Sequence, residues 1–240
     1  MTATERQQPW NTLPHGELEP LSEHVFRVEA PLVKGPPIVR VMTVARLRSG
    51  SLVVHSAIAL SEPAMEKLEA LGPVATIIVP NHWHRLDAAR YARRYPEAKV
   101  YCPPGSRKKI EKLVRVDGTY ADVPRGDRVR FEVLDGVGEL EGAMIVDEDE
   151  ETTLVLTDVL FNMPHQRGVS GFVLRRLTQS SGGPRISRLI RLAMIKDKAA
   201  LRAHLERLAA LPRLARIVVA HHEVIDHEPA KVLREVAATL

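Results

Sequence analysis

The order of apolar runs along the 240-residue chain predicts an α/β sandwich, with two sheets inside and helices outside. Three observations carry this. Strand-like runs dominate the first sixty residues. Helices and short apolar strands then alternate. A second group of strands near 128–158 is followed by helices and one late strand.

The elements justify themselves in order. Residues 1–20 are polar and proline-bearing and read as a loosely held arm, leaving 21–240 as a single domain. His24 to Val28 alternates polar and apolar, as a half-buried strand does. Residues 31–37 hold three prolines and a glycine, which predicts a loop. Residues 38–48 and 51–60 are two strand-like runs separated by Ser49-Gly50, the pattern of a β-hairpin. Ser61 caps a helix with Pro63 in its first turn and Gly72-Pro73 after its end. Residues 75–80 are short, apolar and β-branched, and read as a strand buried on both faces. A helix over 86–95, a strand over 99–102 and a short helix over 106–113 follow. Strands are predicted over 128–134, 143–147 and 152–158, with the acidic run 147–151 as a solvated hairpin tip. Helices over 187–195 and 198–211, a strand over 215–220 and a closing helix from Pro229 complete the chain.

Composition excludes several classes. The single cysteine, Cys102, rules out an internal disulfide framework and a multi-cysteine zinc finger. No window approaches the eighteen or so apolar residues of a membrane span, and the first residues lack a signal-type apolar stretch, so a cytoplasmic protein without a membrane partner is expected. Ser56 and Ser61 lack a nucleophile-elbow signature, and Gly182-Gly183 lacks a phosphate-loop lysine. Residues 164–204 carry nine Lys or Arg against one Asp, a segment charge of +8 in a chain of net charge +4. Its expected role is a solvated helix face or a basic rim selecting an anionic small-molecule substrate. Nucleic acid is not expected, since Phe172 is the segment's one aromatic residue.

The ten histidines point to chemistry. Three apolar strands end in potential ligands: 75–80 runs into Asn81, His82 and His84, 152–157 into Asp158, and 215–220 into His221 and His222. Groups just past the carboxyl ends of strands line the crevice of open α/β sheets. In an extended segment His82 and His84 would leave one face and Trp83 the other. Two imidazoles, a carboxylate and a third imidazole suit zinc, iron or manganese. His55, inside a strand, reads as a core residue or a support for a ligand, Asn81 as structural, and Trp83 and Met163 as core.

The order strand, His-x-His, helix, β-rich middle ending in Asp, late strand ending in His resembles the metallo-β-lactamase superfamily, in a divergent branch, over about residues 24–228. The family's His-x-His-x-Asp-His corresponds to His82 to Asp87, with Leu86 in place of Asp and Asp87 in place of the third histidine. Its Gly-His-Thr-Pro-Gly corresponds to 138–142, which puts Glu139 in place of histidine. Asp158 and His221 match the bridging aspartate and the final histidine. The resemblance implies a four-layer αββα sandwich and a metal-dependent hydrolase. His82, His84, Glu139, Asp158 and His221 would be the ligands, and Asp87 a ligand or general base. One zinc ion is expected rather than two, with iron or manganese as substitutes. A protein that kept the fold and lost the metal centre is the alternative, and redox chemistry at iron a third reading.

Overall fold

The computed structural model describes residues 9–32, 38–125 and 127–240. Most of the predicted 31–37 loop, and residues 1–8 of the predicted arm, lie outside the described residues.

The first sheet begins with β1 (Glu19–Pro20), β2 (Val25–Pro31), β3 (Val39–Arg46) and β4 (Leu52–His55), paired antiparallel in that order. The hairpin turns at Ser49-Gly50, where Gly50 takes φ +85°, a conformation that favours glycine. The second arm is shorter than its apolar run: it stops at His55 because Ser56 turns into the left-handed region at φ 58°. Helix α1 (Glu62–Ala70), β5 (Val74–Ile78), α2 (Ala88–Arg94) and β6 (Lys99–Cys102) follow, then α3 (Arg107–Ile110) and β7 (Gly118–Thr119). The helical crossovers make β4, β5, β6 and β7 parallel neighbours, completing a seven-stranded sheet.

The second sheet has the order β13-β10-β9-β8, from β8 (Val129–Val133), β9 (Gly142–Asp147), β10 (Thr152–Leu156) and, much later, β13 (Leu214–Val219). Its β9–β10 hairpin carries the acidic tip. There Glu148 is buried and accepts from Ser22 Oγ and the His24 N–H, whereas Asp149 and Glu150 are exposed. Between β10 and β13 lie β11 (Phe161–Met163), α4 (Gly168–Phe172), which continues as a wider helical turn over Val173–Leu177, β12 (Gly183–Arg185), α5 (Arg188–Ala193) and α6 (Lys198–Ala209). Strands β11 and β12 form a small antiparallel pair. Helix α7 (Pro229–Ala238) ends the chain.

Alternation along the strands sorts the core into three layers. Val41, Ala45, Val53 and Ile78 of the first sheet meet Met144, Val146, Val155 and Val218 of the second, so the two sheets pack face to face. Their neighbours Met42, Val44, Leu52 and Ile77 face outward to α1 and α2. Ile145, Leu154, Leu156 and Ile217 face outward to α5, α6 and α7. The result is the expected αββα sandwich. Residues 9–20 lie along the first layer, where the Trp10 indole N–H donates to the Leu60 carbonyl at 2.9 Å and its ring packs against Tyr91.

Candidate metal centre

One end of the sandwich collects the strand termini. Leu156 and Val219 are register partners on parallel β10 and β13, so Asp158 and His221, each two residues further on, stand side by side. His84 arrives from the other sheet, on the bend after β5. The three candidate strands do not share a sheet; two lie in one sheet and the third faces them across the inter-sheet core. One ligand atom from each of His84, Asp158 and His221 lies within 4.8 Å of the others, the metal-capable cluster found among the described residues.

The hydrogen bonds fix what each group presents. His221 Nδ1 lies 3.0 Å from the Val39 carbonyl, which only an N–H can satisfy. A neutral His221 then presents the Nε2 lone pair to Asp158 Oδ1, 3.1 Å away. Two acceptors at that distance repel unless a proton or a metal cation lies between them. His84 Nδ1 meets Ser56 Oγ at 3.0 Å, and its Nε2 stands 3.3 Å from Asp158 Oδ2. The His221 ring is stacked on Phe161, 5.0 Å between centroids. Each imidazole thus has one nitrogen held by the protein and the other aimed at the carboxylate, the usual arrangement around metal-ligating histidines. The left-handed backbone at Ser56 aims its hydroxyl at His84.

Asn81 and Glu141 organise the centre. Asn81 Oδ1 accepts the N–H groups of Trp83 and His84, closing a turn that sets the His84 backbone. Its Nδ2 donates to Asp158 Oδ2 at 2.6 Å and to Glu141 Oε2 at 3.2 Å. Glu141, fully buried, also accepts from the backbone N–H groups of Thr157, Asp158 and Val159 and so fixes the turn that carries Asp158. Burial, and then the Asp158 charge, push the Glu141 carboxyl up. Burial alone would raise Asp158 too, but the His84 and His221 imidazoles hold it well below the usual carboxylate range. No Lys or Arg among the described residues contacts either carboxylate.

The structure separates the other predicted ligands from this cluster. His82 does not share a face with His84, because residues 81–84 bend around the Asn81 side chain instead of extending. Its Nδ1 lies 3.4 Å from Ser106 Oγ and its Nε2 3.2 Å from Lys109 Nζ, and burial and then the Lys109 charge lower its pKa. Glu139 is exposed in a left-handed turn at φ 58°, away from the centre. Glu141, two residues on, is the carboxylate that reaches it. Asp87 lies outside this cluster. It begins α2 as a buried carboxylate paired with Arg40 at 3.2 Å and with Arg90, so two guanidiniums hold its lone pairs. Trp83 is not core; it and Leu86 are exposed beside the centre, while Met163 is buried as expected. His55 is fully buried under His84 with its Nε2 unpartnered. His222 takes a hydrogen bond from the Val39 N–H and serves the backbone. Asn81, read from the sequence as structural, organises the centre, and Glu141 was not singled out by sequence. The available signal was an amide directly at a strand end before His-x-His, and an acid directly preceding Gly142, where β9 begins.

In its fold, this sandwich is similar to a solved metallo-β-lactamase. A crystal structure of DIM-1 metallo-β-lactamase exposed to ceftazidime matches over 95% of this chain and 99% of that one, with a TM-score of 0.64 and 11% sequence identity. At that identity the likeness shows the fold. A family model described as a domain of unknown function, DUF4336, matches residues 36–169, more than half of the chain, and the chain belongs to that family. No curated protein matches the sequence.

Proposed function

We propose that the chain is a metal-dependent hydrolase whose single divalent ion is held by His84, Asp158 and His221. The observation that carries this is the meeting of two imidazoles on the buried, ionised Asp158 carboxylate, which has no Lys or Arg partner among the described residues. Buried charges are normally paired or coordinate metals. The donor set of two nitrogens and one oxygen suits zinc, with iron or manganese as substitutes. When bound, such an ion supplies Lewis acidity and activates water for hydrolysis.

The chain's own residues do the rest. Ser56 and the Val39 carbonyl orient the two imidazoles. Asn81 aims Asp158 between them by donating to Oδ2. Glu141 holds the 157–159 backbone. Trp83 and Leu86, exposed on the loop that carries His84, offer apolar contact to a small-molecule substrate.

The second reading, a binding protein without a metal, rests on the 3.1 Å His221–Asp158 contact, which an imidazolium would also make. Metal analysis of protein purified without chelator separates the two. We expect about one ion per chain, lost in His84→Ala and Asp158→Asn but kept in His82→Ala. Metal far below one ion per chain, unchanged by these substitutions, favours the binding protein.

A further inference from the structure

The segment between β11 and α6 combines two features that the metal centre does not use. Leu174, Ile186, Ile190 and Met194 pack inward on the second sheet's helical layer. On the opposite, outer side the same segment exposes Val169, Phe172, Leu177, Leu189 and Leu192, five of the seven exposed large apolar side chains among the described residues. Val169 and Phe172 stand three residues apart on α4, and Leu189 and Leu192 three apart on α5, so each pair shares a helix face. The Arg188 N–H donates to the Thr178 carbonyl at 2.8 Å, which joins the two helices into one surface. A helix apolar on both sides needs a partner beyond the core it packs on.

The second feature is charge. Arg175, Arg176, Arg185, Arg191 and His165 line a cavity of about 740 Å³ between this segment and α7, with Glu235 as its acidic member. Arg185 and Arg191 are braced by the Gly182, Gly183 and Thr239 carbonyls, not by carboxylates. Arg175, Arg176 and Arg188 make no ion pair with another described residue.

We propose that this surface docks the protein on an anionic phospholipid membrane, with headgroup phosphates in the arginine cavity and the outer leucines and Phe172 in the headgroup–acyl boundary. Unpaired arginines beside exposed leucines and a phenylalanine are the chemistry of interfacial segments. A second copy of the chain fits poorly, because a two-fold interface sets this basic patch against the same basic patch. Nucleic acid fits poorly, because Phe172 is the segment's one stacking residue. The expectation of no membrane partner rested on the lack of a span. No helix among the described residues is long and apolar enough to cross a membrane, but docking requires no span.

The test is flotation of the full chain with vesicles of equal parts phosphatidylcholine and phosphatidylglycerol, against pure phosphatidylcholine. Binding is expected to the anionic vesicles alone and to weaken as salt rises to about 0.5 M. Arg175→Gln with Arg176→Gln should weaken it by about thirtyfold, roughly fivefold per arginine. Leu189→Ser with Leu192→Ser should weaken it by at least about tenfold. All four side chains are exposed, so unchanged melting confirms that the variants fold. No binding to anionic vesicles overturns the proposal, as does binding indifferent to the leucine pair, which is charge adsorption alone. Saturable binding of inorganic phosphate without vesicle binding, or a dimer dissolved by the leucine substitutions, overturns it equally.

Discussion

Asn81 joins both halves of the centre, and its replacement tests how the site is built. Asn81→Ala removes the acceptor of two backbone N–H groups and the donor to two buried carboxylates. A neutral hydrogen bond contributes about 1 kcal/mol, and one to a charged group about 1.5–3 kcal/mol. The gross loss is about 5–8 kcal/mol. Glu141 keeps three backbone donors and the partly buried Trp83 N–H can turn to water, so the net cost should be about 2–4 kcal/mol. For a chain of this size that lowers Tm by about 4–16 °C. Asn81→Asp is the sharper perturbation. It restores the acceptor for the Trp83 and His84 N–H groups but sets a third carboxylate beside Asp158 and Glu141. At neutral pH it should be less stable than Asn81→Ala, and zinc should recover more of its stability. Urea unfolding followed by tryptophan fluorescence, with and without zinc, measures this. If Asn81→Asp matches or exceeds the stability of the unsubstituted protein without metal, Asp158 is not charged and the reasoning is refuted.

Other outcomes follow from the same geometry. Burial, and then the charge of His84, hold the His55 pKa down to about 3 against 6.5 when free, so the fold favours its neutral form. Its contribution is complete above pH 6.5 and is lost as pH falls toward 3, by up to about 4 kcal/mol. His55→Leu should flatten that part of a stability–pH curve, and an unchanged slope would assign the loss to other groups. Asp87→Ala should cost about 3–5 kcal/mol by leaving Arg40 buried and uncompensated, while metal content stays at the level of the unsubstituted protein. A loss of metal without a loss of stability would return Asp87 to the centre. Zinc should raise the Tm of the unsubstituted protein and leave that of His84→Ala unmoved in a thermal shift assay. Cys102 is fully buried and its thiol is pushed up to about 12, mainly by burial, so thiol reagents should label it only on unfolding.

Local sequence determined the layers and much of the centre. Alternation along the strands and the Ser61–Pro63 helix start are short-range signals, and they placed β2 to β6, β8 to β10 and β13 close to where they form. His84, Asp158 and His221 were legible because each stands just beyond an apolar strand, where a polar group can only end the strand or serve a site. Which sheet each strand joins was decided by tertiary pairing. β5 lies between β4 and β6, and β10 beside β13, so the three groups meet across two sheets instead of along one. Side-chain hydrogen bonds decided the rest. Asn81 bends the backbone between His82 and His84, a two-residue shift makes Glu141 and not Glu139 the inner carboxylate, and Arg40, 47 residues away in sequence, claims Asp87. Spacing records how far apart two residues are along a chain. It does not record which distant donor reaches a buried carboxylate first, and that competition is settled only when the chain is packed.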